Sequence, residues 1–179
     1  MIQTIQHKGN IYPAFQASGN AARFVIPFAK EVCKGVGVDV GCNREEWCFP
    51  GAYPIDPVLN EWYHAYNIPF HYEKDDSDEI VELNELDYIF SSHCLEHLPN
   101  WVQALDYWHT RLKSGGVVFL YLPDHSQTYW RGWHNRKHIH NLKPEIVGNY
   151  FKDQPEMWTN LFVSGVDLNN SFVAMAEKI

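Results

Sequence analysis

The chain has 179 residues, room for one domain with a substantial core. Its net charge of −8, from 14 basic and 22 acidic residues with no basic cluster, argues against general nucleic-acid binding. Cys33, Cys42, Cys48 and Cys94 show no C-x-x-C spacing, Met1 to Lys8 lacks a signal-peptide core, and no apolar run reaches membrane length; a reduced, cytoplasmic protein without membrane contact is expected.

Ser18 to Cys33 reads as a helix, because Phe24, Val25, Phe28, Ala29 and Val32 recur at three-to-four spacing; Pro27 kinks it or marks a new start. Residues 1–34 are therefore expected as an N-terminal helical segment packing on the core of a single domain, 1–179. Val36–Val40 is the first strand and Ala52–Asp56 the second, followed by a helix over about Pro57–Tyr66. Pro69–Lys74 reads as a third strand, and Leu86–Ser91 as a fourth that is apolar enough to be buried on both faces.

Asn100 is placed to cap a helix through Lys113, which Ser114-Gly115-Gly116 stops. Val117–Leu122 is a fifth strand, ended by Pro123. An irregular stretch rich in His, Trp and Arg runs from Asp124 to Leu142, before a short helix at Pro144–Phe151. Trp158–Val163 and Phe172–Ala176 flank a Gly/Asp/Asn turn and close the chain as a hairpin. Strand alternating with helix predicts an α/β fold: a Rossmann-like, mainly parallel sheet flanked by helices, with an antiparallel hairpin at the C-terminal end.

The chemistry concentrates at Val38-Asp39-Val40-Gly41-Cys42-Asn43-Arg44 and at Ile55-Asp56-Pro57. A short strand runs into a glycine turn, and the next strand ends in a carboxylate; open parallel sheets present nucleoside ligands with this pair. Asn43 stands where a dinucleotide turn would carry a second glycine, and Glu45 and Glu46 follow at once. Two carboxylates disfavour a pyrophosphate and suit a nucleoside bearing positive charge, such as the sulfonium of S-adenosylmethionine. The segment from Cys42 to Gly51 leaves room for about one helical turn, so the first crossover is expected to be shortened.

Leu86-Asp87-Tyr88-Ile89-Phe90-Ser91-Ser92-His93-Cys94-Leu95-Glu96-His97-Leu98 resembles the fourth-strand motif of class I S-adenosylmethionine-dependent methyltransferases, the methyltransferase type 11 group in particular. Leu112-Lys113-Ser114-Gly115-Gly116-Val117 is similar to that family's helix-end and fifth-strand signature. The resemblance implies a seven-stranded sheet with cofactor at the carboxyl ends of strands one to four. It implies that the Gly41, Cys42 and Asn43 backbone borders the methionine part of the cofactor, with Asp39 orienting the turn or the cofactor's ammonium. It also implies that Asp56 accepts from both ribose hydroxyls, that Asp75 or Asp76 meets the adenine amino group, and that Ser92 and His93 face the reacting methyl.

Seven of the ten histidines lie between residues 93 and 140. His93 and His125 follow the fourth and fifth strands and are candidate bases for a hydroxyl or amine acceptor, or else polar packing residues. His97 reads as part of a structural Leu-Glu-His-Leu turn, and His109 as one residue of an ordinary helix face. His138-Ile139-His140, before the Lys143-Pro144-Glu145 helix start, resembles a motif near the substrate side of related methyltransferases, or else is a polar loop packed on the sheet; with His125 these two histidines are the expected substrate-pocket residues. No metal centre is expected, because His134, His138 and His140 lack a clear helix and matching Cys or acid spacing. Tyr129, Trp130 and Trp133 could form a lid or simply pack a loop. The sequence thus points to a methyltransferase acting on a small-molecule or sugar-like acceptor. A catalytically degenerate methyltransferase-fold binding protein and a histidine-based metal hydrolase stay open as alternatives.

Overall fold

A computed structural model describes residues 3–7, 9–14, 19–56, 70–73, 80–126 and 138–179. The first strands, β1 (Thr4–His7) and β2 (Asn10–Pro13), pair as a hairpin that sequence patterning did not suggest. A 3-10 turn at Ala21–Phe24 and helix α1 (Ile26–Val32) replace the single helix expected over Ser18–Cys33. Pro27 explains the break: it sits in the first turn of α1, where its missing N–H costs nothing.

The main sheet holds β3 (Gly37–Val40), β4 (Tyr53–Ile55), β7 (Leu86–Ser92), β8 (Leu112–Pro123), β9 (Trp158–Val163) and β10 (Ser171–Lys178) in the order β4-β3-β7-β8-β10-β9. The pairs β4–β3, β3–β7 and β7–β8 are parallel, whereas β10 runs antiparallel to both β8 and β9. This is the expected Rossmann-like α/β architecture with its antiparallel C-terminal hairpin. The expected third strand is present as β5 (Phe70–Glu73), but its ladder is made with β6 (Ile80–Leu83), antiparallel and outside the main sheet. The helix expected at Pro57–Tyr66 lies outside the described residues.

Pleating sends alternate side chains to two cores. Val38, Ile89, Val118, Leu120, Leu122, Phe172 and Ala174 meet Ala104, Leu105 and Trp108 of α2 (Trp101–Arg111) and Val147 and Phe151 of α3 (Pro144–Lys152). Tyr88, Phe90, Phe119, Tyr121 and Val173 face the other way, toward Val25 and Ala29 of the α1 segment. Asn100 caps α2 as expected, accepting from the Gln103 N–H at 3.1 Å.

The first crossover is short, a single 3-10 turn at Glu45–Trp47. Phe49 covers the sheet face that a full helix would cover: its ring stacks on Phe90 at 4.8 Å and meets Tyr88 edge-on at 5.6 Å. The chain leaves β3 toward β4 on one side and later returns to β7 on the other. A crevice outside the carboxyl ends of β3 and β7 is where such sheets bind ligands.

Candidate cofactor and acceptor site

The turn after β3 is built by contacts on three sides. The Gly41 N–H donates to the Ile55 carbonyl at 2.9 Å, tying the turn to β4. Gly41 has φ 89°, and a Cβ there would lie 2.4 Å from Cβ and 2.6 Å from Sγ of Cys94, just past β7. Only glycine fits both the conformation and the space. Asn43 takes a left-handed φ of 63°, a conformation that asparagine tolerates better than most residues. Its N–H donates to Asp56 Oδ2 at 2.8 Å.

One lone pair of the Asp56 carboxylate thus holds the turn. The residue is buried at the tip of β4, within electrostatic reach of Asp39. Asp39 Oδ2 accepts from the Phe49 N–H at 2.7 Å, which hooks the shortened crossover onto β3. Asp39 Oδ1 is buried and has no hydrogen-bond partner among the described residues. Burial pushes this carboxyl up to about 7; the Phe49 N–H opposes the rise and the charge of Asp56 adds to it. Cys42 is buried beside these groups, and its hydrogen bond with Cys48, then burial, raises its thiol pKa. All four cysteines are free thiols.

Ser92 ends β7, and its Oγ is a second buried polar atom without a hydrogen bond among the described residues. His93 follows with φ 51°, a strained conformation of the kind that collects at functional sites. Its N–H donates to the Tyr121 carbonyl at 2.8 Å, and its Nε2 lies 3.0 Å from Ser171 Oγ. The Ser171 hydroxyl donates to the Asn169 carbonyl at 3.2 Å, so it accepts from His93 Nε2–H. That assignment leaves Nδ1 as the ring's acceptor atom. Burial, reinforced by the nearby His138 and His97, holds the imidazole pKa well below its ordinary value.

The other expected residues have different fates. His125 is fixed through its backbone, whose N–H donates to the Leu142 carbonyl at 3.0 Å. His140 is a structural residue. Its Nε2–H donates to the Leu98 carbonyl at 2.7 Å, which ties its ring to the turn after β7. His138 instead points at Glu96, with Nε2 3.5 Å from Oε1. Asp75, Asp76, His134 and the aromatic residues at 129, 130 and 133 lie outside the described residues. His109 has the expected helix-face role, bonding the Met157 carbonyl at 3.2 Å.

Glu96 was missed in the sequence. It is 1% exposed, and burial pushes its carboxyl up to about 8. An acid between Leu95 and Leu98, both buried, was the available signal. An open groove of about 540 Å3 lies beyond β8, lined in part by Asp124, Lys143, Glu145 and Lys152; none of the expected site residues lines it.

A family model described as a methyltransferase domain matches residues 17–154. The chain belongs to this family. The expected enzyme class, a methyltransferase, and the expected cofactor, S-adenosylmethionine, stand with that membership. No curated protein matches by sequence. Among solved structures the chain is similar to the complex of the Haloferax volcanii Trm112 methyltransferase activator with a methyltransferase, at 12% identity and TM-score 0.59, covering 92% of this chain and 94% of that one. It is also similar to the N-methyltransferase NodS from Bradyrhizobium japonicum WM9 in complex with S-adenosyl-L-homocysteine, at 13% identity and TM-score 0.54, covering 96% and 89%. A SAM-dependent methyltransferase from Aquifex aeolicus aligns at 13% identity and TM-score 0.55, covering 93% and 98%. Likeness at this identity shows a shared fold. Among the described residues, no helix is long and apolar enough to cross a membrane.

Proposed function

We propose that this protein, as a single cytoplasmic domain, moves a methyl group from S-adenosylmethionine to a small-molecule or sugar-like acceptor. The observation that carries the reading is the pairing of a glycine turn with two buried acids, Asp39 and Asp56, at the carboxyl ends of β3 and β4. Asp39 Oδ1 is an acceptor in need of a donor, and the cofactor's ammonium is one. Asp56 is a buried carboxylate at the tip of β4, an acceptor group of the kind a ribose hydroxyl needs. Cys42 and Asn43 border the methionine side, and the exposed Glu45 and Glu46 add negative potential that favours a cation.

The bound cofactor supplies a methyl group already activated by its sulfonium. The protein's part is to align the acceptor and receive a proton where the acceptor must lose one. Ser92 Oγ and His93 stand at the tip of β7 for this. A neutral His93 with Nδ1 as acceptor can orient a hydroxyl or amine and take its proton as the new bond forms. His125 flanks the acceptor side in this reading.

Calorimetry with S-adenosylmethionine and S-adenosyl-L-homocysteine tests the cofactor assignment, and binding of both is expected. Absence of binding at millimolar ligand removes it. The shortened crossover favours one rival, a binding module without turnover. Incubation with radiolabelled methyl donor and a small-molecule extract separates the two: label in a product supports the enzyme, and binding with no labelled product supports the module.

A further inference from the structure

We infer that Glu96, His97 and His138 form a binding site for a first-row divalent metal ion, with zinc the best match to the donor set. One ligand atom from each residue lies within 4.8 Å of the others. Glu96 Oε1 is 3.6 Å from His97 Nε2 and 3.5 Å from His138 Nε2. Ligands at about 2.0–2.2 Å from a tetrahedral zinc stand roughly 3.4 Å from one another, so these three need only a small contraction. The same separations are too long for hydrogen bonds.

Burial makes the arrangement costly without a cation. Glu96 is 1% exposed, yet neither carboxylate oxygen has a hydrogen bond among the described residues. A buried carboxylate is normally satisfied by several donors or by a metal. The side chain of His138 is 5% exposed, so its ring is sequestered with the acid. The rings of His97 and His138 meet edge-on at 4.7 Å, both turned toward the carboxylate.

The backbone holds these groups in place. The N–H groups of Ile139 and His140 both donate to the Glu96 carbonyl, at 3.0 and 3.3 Å. His140 Nε2 adds the bond to the Leu98 carbonyl. These three bonds fasten residues 138–140 to the turn after β7 and carry His138 across the sequence to Glu96. Two imidazoles and one carboxylate select zinc or a neighbouring transition ion over magnesium or calcium, which prefer all-oxygen shells. Three protein ligands leave a position for water or for a heteroatom of an acceptor. The site follows from these residues alone and stands apart from the assignment of the methyl donor.

The test uses the purified 179-residue chain, stripped with chelator and then titrated with zinc chloride by calorimetry and with cobalt(II) by visible absorption. One ion per chain is expected, with the intense cobalt bands of a four- or five-coordinate site. Glu96→Gln and His138→Ala should each weaken zinc binding by about 100-fold or more, while His109→Ala leaves it unchanged. Zinc-edge X-ray absorption of the unmodified protein should show two imidazole ligands, which requires no variant to fold. The inference is overturned by absence of zinc binding at millimolar metal, by unchanged affinity in a folded Glu96→Gln protein, or by an absorption spectrum showing sulfur ligands.

Discussion

The Asn43 N–H donates to Asp56 Oδ2 across 2.8 Å, so the acid at the tip of β4 sets the shape of the turn after β3. Two substitutions separate this structural role from ligand binding. Asp56→Asn keeps an oxygen for Asn43 but removes the charge, whereas Asp56→Ala removes both. Charged hydrogen bonds contribute about 1.5–3 kcal/mol, so S-adenosylmethionine affinity should fall about tenfold in the first variant and about 100-fold in the second. Calorimetry on both proteins reads the difference; equal affinities would detach the turn from the acid.

Gly41 and Asn43 make a matched pair of backbone predictions. Gly41→Ala puts a Cβ 2.4 Å from Cys94 Cβ at φ 89° and should cost about 2 kcal/mol or more. Cys94→Gly in that background removes the collision and should recover part of the loss. Asn43→Gly should be near neutral, and Asn43→Val should cost about 1–2 kcal/mol, since valine resists a left-handed backbone. Urea unfolding of the four proteins measures each. A Gly41→Ala protein as stable as the parent would show that the turn yields.

The strands of the main sheet, the α2 cap and the short crossover were legible because each rests on local chemistry. Asn100 caps α2, and Pro50-Gly51 leaves Cys42 to Gly51 too short for a helix. The Gly41 turn was visible as a motif, but its reason, the nearness of Cys94, is a contact between two strands. Phe49 was opaque for the same cause, and Glu96 showed only as an acid between two leucines. Phe49 gains its role only when Phe90 and Tyr88 are beneath it, and Glu96 only when residues 138–140 are laid against it. The partner of β5 was not legible, because a four-residue strand carries no signal of which ladder it joins.

His93 should be held as a single tautomer. Ser171 spends its hydroxyl proton on the Asn169 carbonyl, so His93 carries its proton on Nε2. Nitrogen-15 spectra of the imidazole should show protonated Nε2 and bare Nδ1. Ser171→Ala should release this preference and mix the tautomers. A spectrum of the parent protein with the proton on Nδ1 would reverse the assignment and turn a donor toward the acceptor.

Asp39 links stability and binding to pH with opposite signs. Its carboxyl rises from an ordinary 3.8 to about 7 on folding, so the folded chain holds a proton that the unfolded chain releases. Its contribution is fully present below about pH 4 and is lost as pH climbs to about 7, because the slope of stability follows protons bound unfolded minus folded. Urea unfolding at pH 5 and pH 7.5 should show that loss, and Asp39→Asn should flatten it. Ligand binding runs the other way. A cofactor ammonium favours the ionised acid, so affinity for S-adenosyl-L-homocysteine should rise between about pH 6 and 7.5, below the range where an α-amino group loses its own charge. Asp39→Asn should abolish this rise while preserving the Phe49 hook, whose N–H still finds an amide oxygen. A variant that binds with the parent's pH profile would place the ammonium away from Asp39.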